Sequence, residues 1–323
     1  MTTPKQQHLS DYLWDLWCAC SIIGIWPRFI EPRLLATTRL KLPIPNLPNG
    51  ITGLKIVQFS DLHLHPKVSQ RFLNKLVKKI NRSKPDILVF TGDFLCNSRM
   101  LDRDRLIATL NHLKAAHGCY AIMGNHDYDQ NVSINPEGVY DVHEPQTAMI
   151  KQGFKRLLSP HYPTGEVSNE ARQVPINPEL LTALEDTPFK VLDNRTETLT
   201  INNSRLNLTG LGEYMLGRCL PDQAFANYQT DAPGIILTHN PDSVPLLKNF
   251  PGHLILSGHT HGAQVNLPYL WNHFTLMEQP QFKRGLFPLD GKWLYVNRGS
   301  GSVMPFRLFS TPEITTITLE DQR

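Results

Sequence analysis

Cysteine is scarce in this chain and shows no pairing pattern. Its five residues, Cys18, Cys20, Cys96, Cys119 and Cys219, are odd in number and contain no C-x-x-C spacing. That excludes a disulfide framework and a cysteine-built zinc site, and a reducing compartment is the simpler reading. An excess of one charge is also missing. There are 32 Lys and Arg against 29 Asp and Glu, a net charge of +3, and no stretch gathers the basic residues into a footprint. Nucleic acid is therefore not expected as a partner. No repeat with a period of roughly 20–50 residues is present, which argues against a solenoid or propeller.

Long hydrophobic runs are lacking as well. The longest uncharged N-terminal stretch, Leu16 to Pro27, has 12 residues. As a helix it reaches about 18 Å of a roughly 30 Å hydrocarbon core, which is too short to span. Trp14, Trp17 and Trp26, with Lys5, Arg28 and Arg33 nearby, instead suit a segment lying at a membrane interface. The alternative is an apolar helix docked on the rest of the protein. Asp11 and Asp15 precede the apolar run and no small-x-small site follows it, so a cleaved signal peptide is not expected. Cys18 and Cys20 could be acylated there, although packing is the simpler role.

From Ile51 onward, short apolar runs alternate with amphipathic stretches, which predicts strands interleaved with helices. Strands are expected at 55–60, 86–91, 119–123, 234–238, 254–257, 293–297 and 314–319, and helices at 71–82 and 103–116. The organisation is then residues 1–50 as an interfacial segment and linker, and 51–323 as one domain. An insertion at about 128–178, with a small helix at 147–158, is either a lid over a site or a surface loop.

Residues of metal-binding type follow five of these strands: Asp61 and His63, Asp93, Asn125, His239, then His259 and His261. In an extended chain the i and i+2 side chains share a side, so Asp61-Leu62-His63 and His259-Thr260-His261 would each offer two ligands in one direction. Each triplet alone is weak evidence. Asp93 could be a helix cap or turn residue, and Asn125 could supply a left-handed turn. Their recurrence after five buried strands carries the inference, because strand carboxyl ends share one edge of a sheet. The set mixes carboxylate, imidazole and amide without thiolate. It suits two divalent ions, manganese first and iron, cobalt or zinc otherwise. Asp93 is the natural bridge between ions about 3.5–4 Å apart. Two such ions offset by two carboxylates leave a positive site that attracts phosphate.

These motifs, D-x-H, G-D, G-N-H-D, H and G-H-x-H in that order, closely resemble the calcineurin-like metallophosphoesterases over roughly Ile51 to Leu319. The resemblance implies a four-layer α/β/β/α sandwich and a phosphoester or pyrophosphate hydrolase. It implies one metal held by Asp61, His63, Asp93 and His261, and a second held by Asp93, Asn125, His239 and His259. His126 is the implied catalytic group, assisting the leaving oxygen. Two departures stand out. Cys96 replaces an acidic residue common three positions after the G-D aspartate, which leaves Asp127 or Asn97 to tune His126. Gly262-Ala263-Gln264 replaces the usual Gly-Gly-Gln. Asn97 and Gln264 are the candidate substrate contacts.

Segments around Ile30-Glu31-Pro32-Arg33 and Leu294 to Gly299 are similar to a membrane-associated bacterial subgroup of that family. The subgroup includes hydrolases of UDP-2,3-diacylglucosamine, a lipid-linked nucleotide of lipid A synthesis, acting at the cytoplasmic face of the inner membrane. The alternatives are a related hydrolase of another phospholipid or nucleotide, or an inactive membrane scaffold.

Overall fold

A computed structural model describes residues 9–143, 162–269, 271 and 277–322. Two six-stranded mixed sheets carry the fold. The first contains β1 (Ala36–Pro45), β2 (Lys55–Phe59), β3 (Ile87–Thr91), β4 (Cys119–Ile122), β7 (Phe189–Val191) and β14 (Glu313–Gln322), in the order β1-β14-β2-β3-β4-β7. The second contains β8 (Arg195–Ile201), β9 (Ser204–Gly210), β10 (Gly234–Leu237), β11 (Leu254–Ser257), β12 (Gly285–Leu289) and β13 (Lys292–Val296), in the order β12-β13-β11-β10-β9-β8. A separate hairpin pairs β5 (Val132–Ile134) with β6 (Tyr140–Val142).

The central strands β3, β4, β10 and β11 are almost uniformly apolar because both faces of each sheet are covered there. Alternation sorts the side chains. Ile56, Ile87, Val89 and Ile122 of the first sheet meet Leu208, Ile235, Leu237, Leu254 and Leu256 of the second in the layer between the sheets. The intervening residues face outward. Val57, Phe59, Leu88 and Phe90 pack under the helices α2 (Gln70–Arg82) and α3 (Arg103–Asn111), and Ile236, Ile255, Leu294 and Val296 pack against Ala224, Val244 and Leu247. Helix, sheet, sheet, helix is the expected four-layer arrangement.

In α2, Phe72, Leu73, Leu76 and Ile80 recur on one buried stripe, and the Ser69 hydroxyl caps the first turn by accepting from the Phe72 N–H. The second expected helix stops at Asn111 rather than 116. The Asn81 side chain takes the His112 carbonyl and the Lys114 N–H, and the Ala116 and His117 N–H groups bond to Pro85 and Asp86. These contacts pull the chain out of the helix before its last turn.

The N-terminal segment expected to run to residue 50 gives its final part to the sheet. Strand β1 pairs in parallel with β14, and Leu42 and Ile44 are buried in the layer between the sheets. Before it, helix α1 (Leu9–Ile23) runs on through a π turn (Trp26–Ile30) and a 3-10 turn (Glu31–Arg33). Helical structure thus continues past Arg28. The stretch Tyr12–Arg33, 22 residues, is long and apolar enough to cross a membrane by length and composition, against the 12 residues read from charge alone. Tyr12, Leu13, Trp14, Leu16 and Trp17 are all exposed, so α1 does not dock on the domain. Its continuation does, through Pro27 and Glu31, which are buried. The helix expected at 147–158 lies outside the described residues.

Candidate metal centre

The seven expected ligands converge at the carboxyl ends of β2, β3, β4, β10 and β11. Their local backbone differs from the extended geometry expected of the two triplets. Asp61, His63, Asp93, His259 and His261 all have left-handed backbones, with φ between 43° and 69°. Non-glycine residues rarely adopt that region, and a run of them marks strain held in place by the surrounding fold. Here the holding contacts are visible. The Asp61 N–H donates to the Gly92 carbonyl and the His63 N–H to the Asp93 carbonyl. The buried Asp127 carboxylate accepts from the N–H groups of Asp93, Leu95 and Gly124 at 2.8, 2.9 and 3.0 Å. The loops after β3 and β4 are thereby tied to one side chain.

Two glycines are required by close approach. A Cβ at Gly124 would lie 2.2 Å from Asp93 Oδ1, and one at Gly92 would lie 2.5 Å from His239 Nδ1. The glycines of the G-D and G-N pairs are space for ligands.

Besides the overlapping trio His63, Asp93 and His126, two groups of potential ligand atoms form, Asp61 with His63 and His261, and Asp93 with His239 and His259, the atoms of each within 4.8 Å. Asp93 Oδ2 lies between them, 3.5 Å from His63 Nε2 and 3.3 Å from His239 Nε2. The Nε2 atoms of His63 and His261 are 3.0 Å apart, and His261 Nε2 is 3.6 Å from Asp61 Oδ1. His259 Nδ1 lies 3.1 Å from the Asn125 amide oxygen and 3.2 Å from His239 Nε2. The far ring nitrogens are engaged: His63 Nδ1 with the Leu95 carbonyl at 2.9 Å and His239 Nδ1 with the Thr91 carbonyl at 2.7 Å. Those bonds put a proton on Nδ1 and leave Nε2 facing inward, the arrangement of metal-ligating histidines.

Electrostatics agree. Burial pushes His63 and His259 down to about 3 and depresses His261, so these imidazoles are neutral donors. Burial raises Asp61 to about 7. Burial opposes both charges of the Asp93–His239 pair, but their mutual attraction outweighs it, holding Asp93 low and His239 high. These six imidazoles and carboxylates, buried or half-buried and crowded in this way, are costly without a metal ion among them. The donor set, imidazole nitrogens and carboxylate or amide oxygens, fits two divalent ions once His239 gives up its extra proton.

His126 is at the same edge, its ring edge-on to His63 with centroids 4.9 Å apart and its Nδ1 buried without a partner. The Asp127 carboxylate does not serve it, being spent on the three backbone N–H groups. Cys96 is buried, and burial pushes its thiol up to about 11, so it is no substitute acid. Asn97 borders a cavity of about 410 Å³ shared with Ser98, Arg99, Asp129 and His143. Gln264 points elsewhere: its amide nitrogen donates to the Met304 and Phe306 carbonyls at 3.0 Å each.

Two buried groups escaped the sequence reading. Glu213 is raised to about 7 by burial, lowered in turn by His239, and one of its oxygens has no partner. Arg307 is wholly buried, and its Nη2 is 3.0 Å from His261 Nδ1. Each stands alone in its segment without a motif, and only folding brings it to the site.

The calcineurin-like phosphoesterase signature matches residues 54–263. The chain is similar to the UDP-2,3-diacylglucosamine pyrophosphatase LpxG of Chlamydia muridarum, 39% identical over 304 residues that cover 90% of this chain and 91% of that protein. The LpxG of Chlamydia trachomatis is likewise 39% identical over 305 residues, 90% and 91% of the two chains. The uncharacterised metallophosphoesterase YkuE of Bacillus subtilis is 30% identical over 298 residues, 91% of this chain and 89% of that protein.

Proposed function

The chain belongs to the calcineurin-like phosphoesterase family and is a hydrolase of phosphoester or pyrophosphate bonds, and within that family we propose that its substrate is UDP-2,3-diacylglucosamine, cleaved to UMP and 2,3-diacylglucosamine 1-phosphate. The observation that carries the substrate is similarity to LpxG over 90% of this chain and 91% of that protein. The position of Asp93 Oδ2 between two ligand groups supports a two-ion centre, with manganese the first expectation.

Asp61, His63, Asp93 and His261 would hold one ion, and Asp93, Asn125, His239 and His259 the other. Two bound divalent ions supply polarisation of the phosphate and an activated water. The chain's own part is orientation. The Leu95 and Thr91 carbonyls fix the tautomers of His63 and His239, and the Asp127 brace fixes the loops that carry Asp93 and Asn125. His126 would donate to the leaving oxygen through a nitrogen no other group occupies.

The exposed face of α1, with Trp14 and Trp17, and the turns after it, with Trp26, Arg28 and Arg33, would keep the enzyme on the cytoplasmic side of the bacterial inner membrane. A diacylated substrate resides in that bilayer. The test is a panel assay with Mn²⁺ and purified full-length protein, products read by mass spectrometry. Release of UMP from UDP-2,3-diacylglucosamine is expected. Turnover of generic diesters or other nucleotides with none of the diacyl sugar would reject the substrate, and no turnover of any of them would favour an inactive scaffold.

A further inference from the structure

The N-terminal segment ends in a buried carboxylate whose contacts lead to the metal centre. Glu31 is 2% exposed, and among the described residues no cation forms an ion pair with it, although Arg284, Arg298 and Arg307 lie near enough to feel its charge. Its carboxylate accepts instead from the N–H groups of Phe309 and Ser310 at 3.0 and 2.7 Å, from the Thr311 hydroxyl at 3.2 Å and from the Trp26 indole at 2.9 Å. The Arg307 N–H donates to the Pro27 carbonyl at 2.8 Å, and the Arg28 side chain donates to the Pro305 carbonyl at 3.0 Å. The turn after the helix is thus tied to residues 305–311 at five points.

That loop carries Arg307, whose donors are all engaged. Nε donates to Ser302 Oγ at 2.8 Å, and Nη1 donates to the Arg298 and Ser310 carbonyls at 2.7 and 2.9 Å. Nη2 serves the Gly301 carbonyl and His261 Nδ1. The Ser310 hydroxyl donates to the His261 carbonyl. His261 is therefore gripped at both ring and backbone by residues of the loop that Glu31 fastens, while its Nε2 faces His63 and Asp61.

A buried carboxylate satisfied only by N–H and O–H donors costs stability unless the loop it orders is needed. Because the ordered loop holds a ligand of the centre, we propose that Glu31 is a positioning residue: it fastens residues 305–311 so that Arg307 fixes His261, which links docking of the N-terminal segment to assembly of the Asp61–His63–His261 half of the site. This rests on the two-ion reading above. Linkage is reciprocal, so an ion bound at that half tightens the Glu31 contacts in turn.

The experiment compares full-length wild type with Glu31→Ala and Arg307→Lys in detergent, using Mn²⁺ calorimetry and hydrogen exchange of the metal-free proteins. Outer partners of ligands are worth about 10–100-fold in metal affinity. A loss of that size is expected for one of the two ions, with the other unchanged, and with faster exchange at Phe309 and Ser310. The milder Thr311→Val, which removes one donor to Glu31, should shift the same ion a few-fold and serves if Glu31→Ala does not fold. Unchanged affinity in the folded variants overturns the proposal, as does an equal loss of both ions. A wild type that binds fewer than two ions overturns the two-ion reading itself, and the proposal with it.

Discussion

Asp127 accepts a hydrogen bond from the backbone N–H of Asp93 at 2.8 Å. The same carboxylate takes the Gly124 and Leu95 N–H groups, so the loops after β3 and β4 are fixed by a residue that binds no ion. Asp127→Asn turns an amide N–H₂ toward backbone donors and leaves at least one of them unpaired. A cost of about 1–3 kcal/mol is expected. Urea unfolding of the metal-free protein measures it, and Mn²⁺ affinity should fall in the same variant. Unchanged values would mean the brace is dispensable.

Asp93→Ala removes the oxygen between the two ligand groups. Turnover should fall on the order of 10³-fold or more, while far-ultraviolet dichroism stays that of a folded protein. Retained turnover with two bound ions would refute the bridging role.

Gly124→Ala puts a methyl 2.2 Å from Asp93 Oδ1. Both neighbours are held by the fold, so the loop must shift rather than the side chain. Loss of Mn²⁺ binding is expected, together with a destabilisation of a size typical of overpacking, about 1–3 kcal/mol. An active Gly124→Ala enzyme would show that the close approach is not needed.

Glu213 has its carboxyl raised by burial to about 7, from the 4.5 usual for glutamate. A carboxyl raised on folding favours the folded state at low pH, and that contribution is lost as pH rises through the folded value. The metal-free protein should therefore lose stability between about pH 5 and 8 on account of this group. Glu213→Gln keeps the oxygen that accepts from the Met215 N–H, and it should reduce that loss by up to about 3 kcal/mol. Denaturant midpoints at the two pH values decide it. An unchanged difference between them would show that Glu213 does not titrate there.

Asp61 is also raised to about 7 by burial. An ion entering beside it displaces a proton below that pH, whereas His63 and His259, pushed down to about 3, have none to release near neutrality. Mn²⁺ affinity should thus weaken as pH falls below about 7, with proton release of about two per protein at pH 6, one from Asp61 and one from His239, which Asp93 holds protonated. Calorimetry in buffers of different ionisation enthalpy counts it. Release of three or more protons would show that His63 or His259, too, is charged in the free site.

Much of the site was legible along the chain because ligand chemistry is a property of residue type, and strand ends are marked by where apolar runs stop. Asp61, His63, Asp93, Asn125, His239, His259 and His261 could be found from those two signals. The central strands β2, β3, β4, β10 and β11 were legible for a related reason: a strand covered on both faces is apolar throughout. Strand β1 was not, since its Thr, Lys, Arg and Pro content reads as a linker and its place beside β14 depends on residues nearly three hundred positions away. The helix end at Asn111 was decided by Asn81, which local periodicity does not include.

The sequence by itself determined the inventory: which donors exist, in what order, and that they close β-α units whose strands would share an edge. It could not determine the left-handed backbone at five ligands, the brace of Asp127, or the reach of Arg307 to His261 and of Glu31 to the loop behind it. Those contacts join segments far apart in the chain, and a residue's electrostatic surroundings are set by whatever the fold packs against it. The pattern named the candidate ligands; burial and distance, which exist only in three dimensions, brought them together.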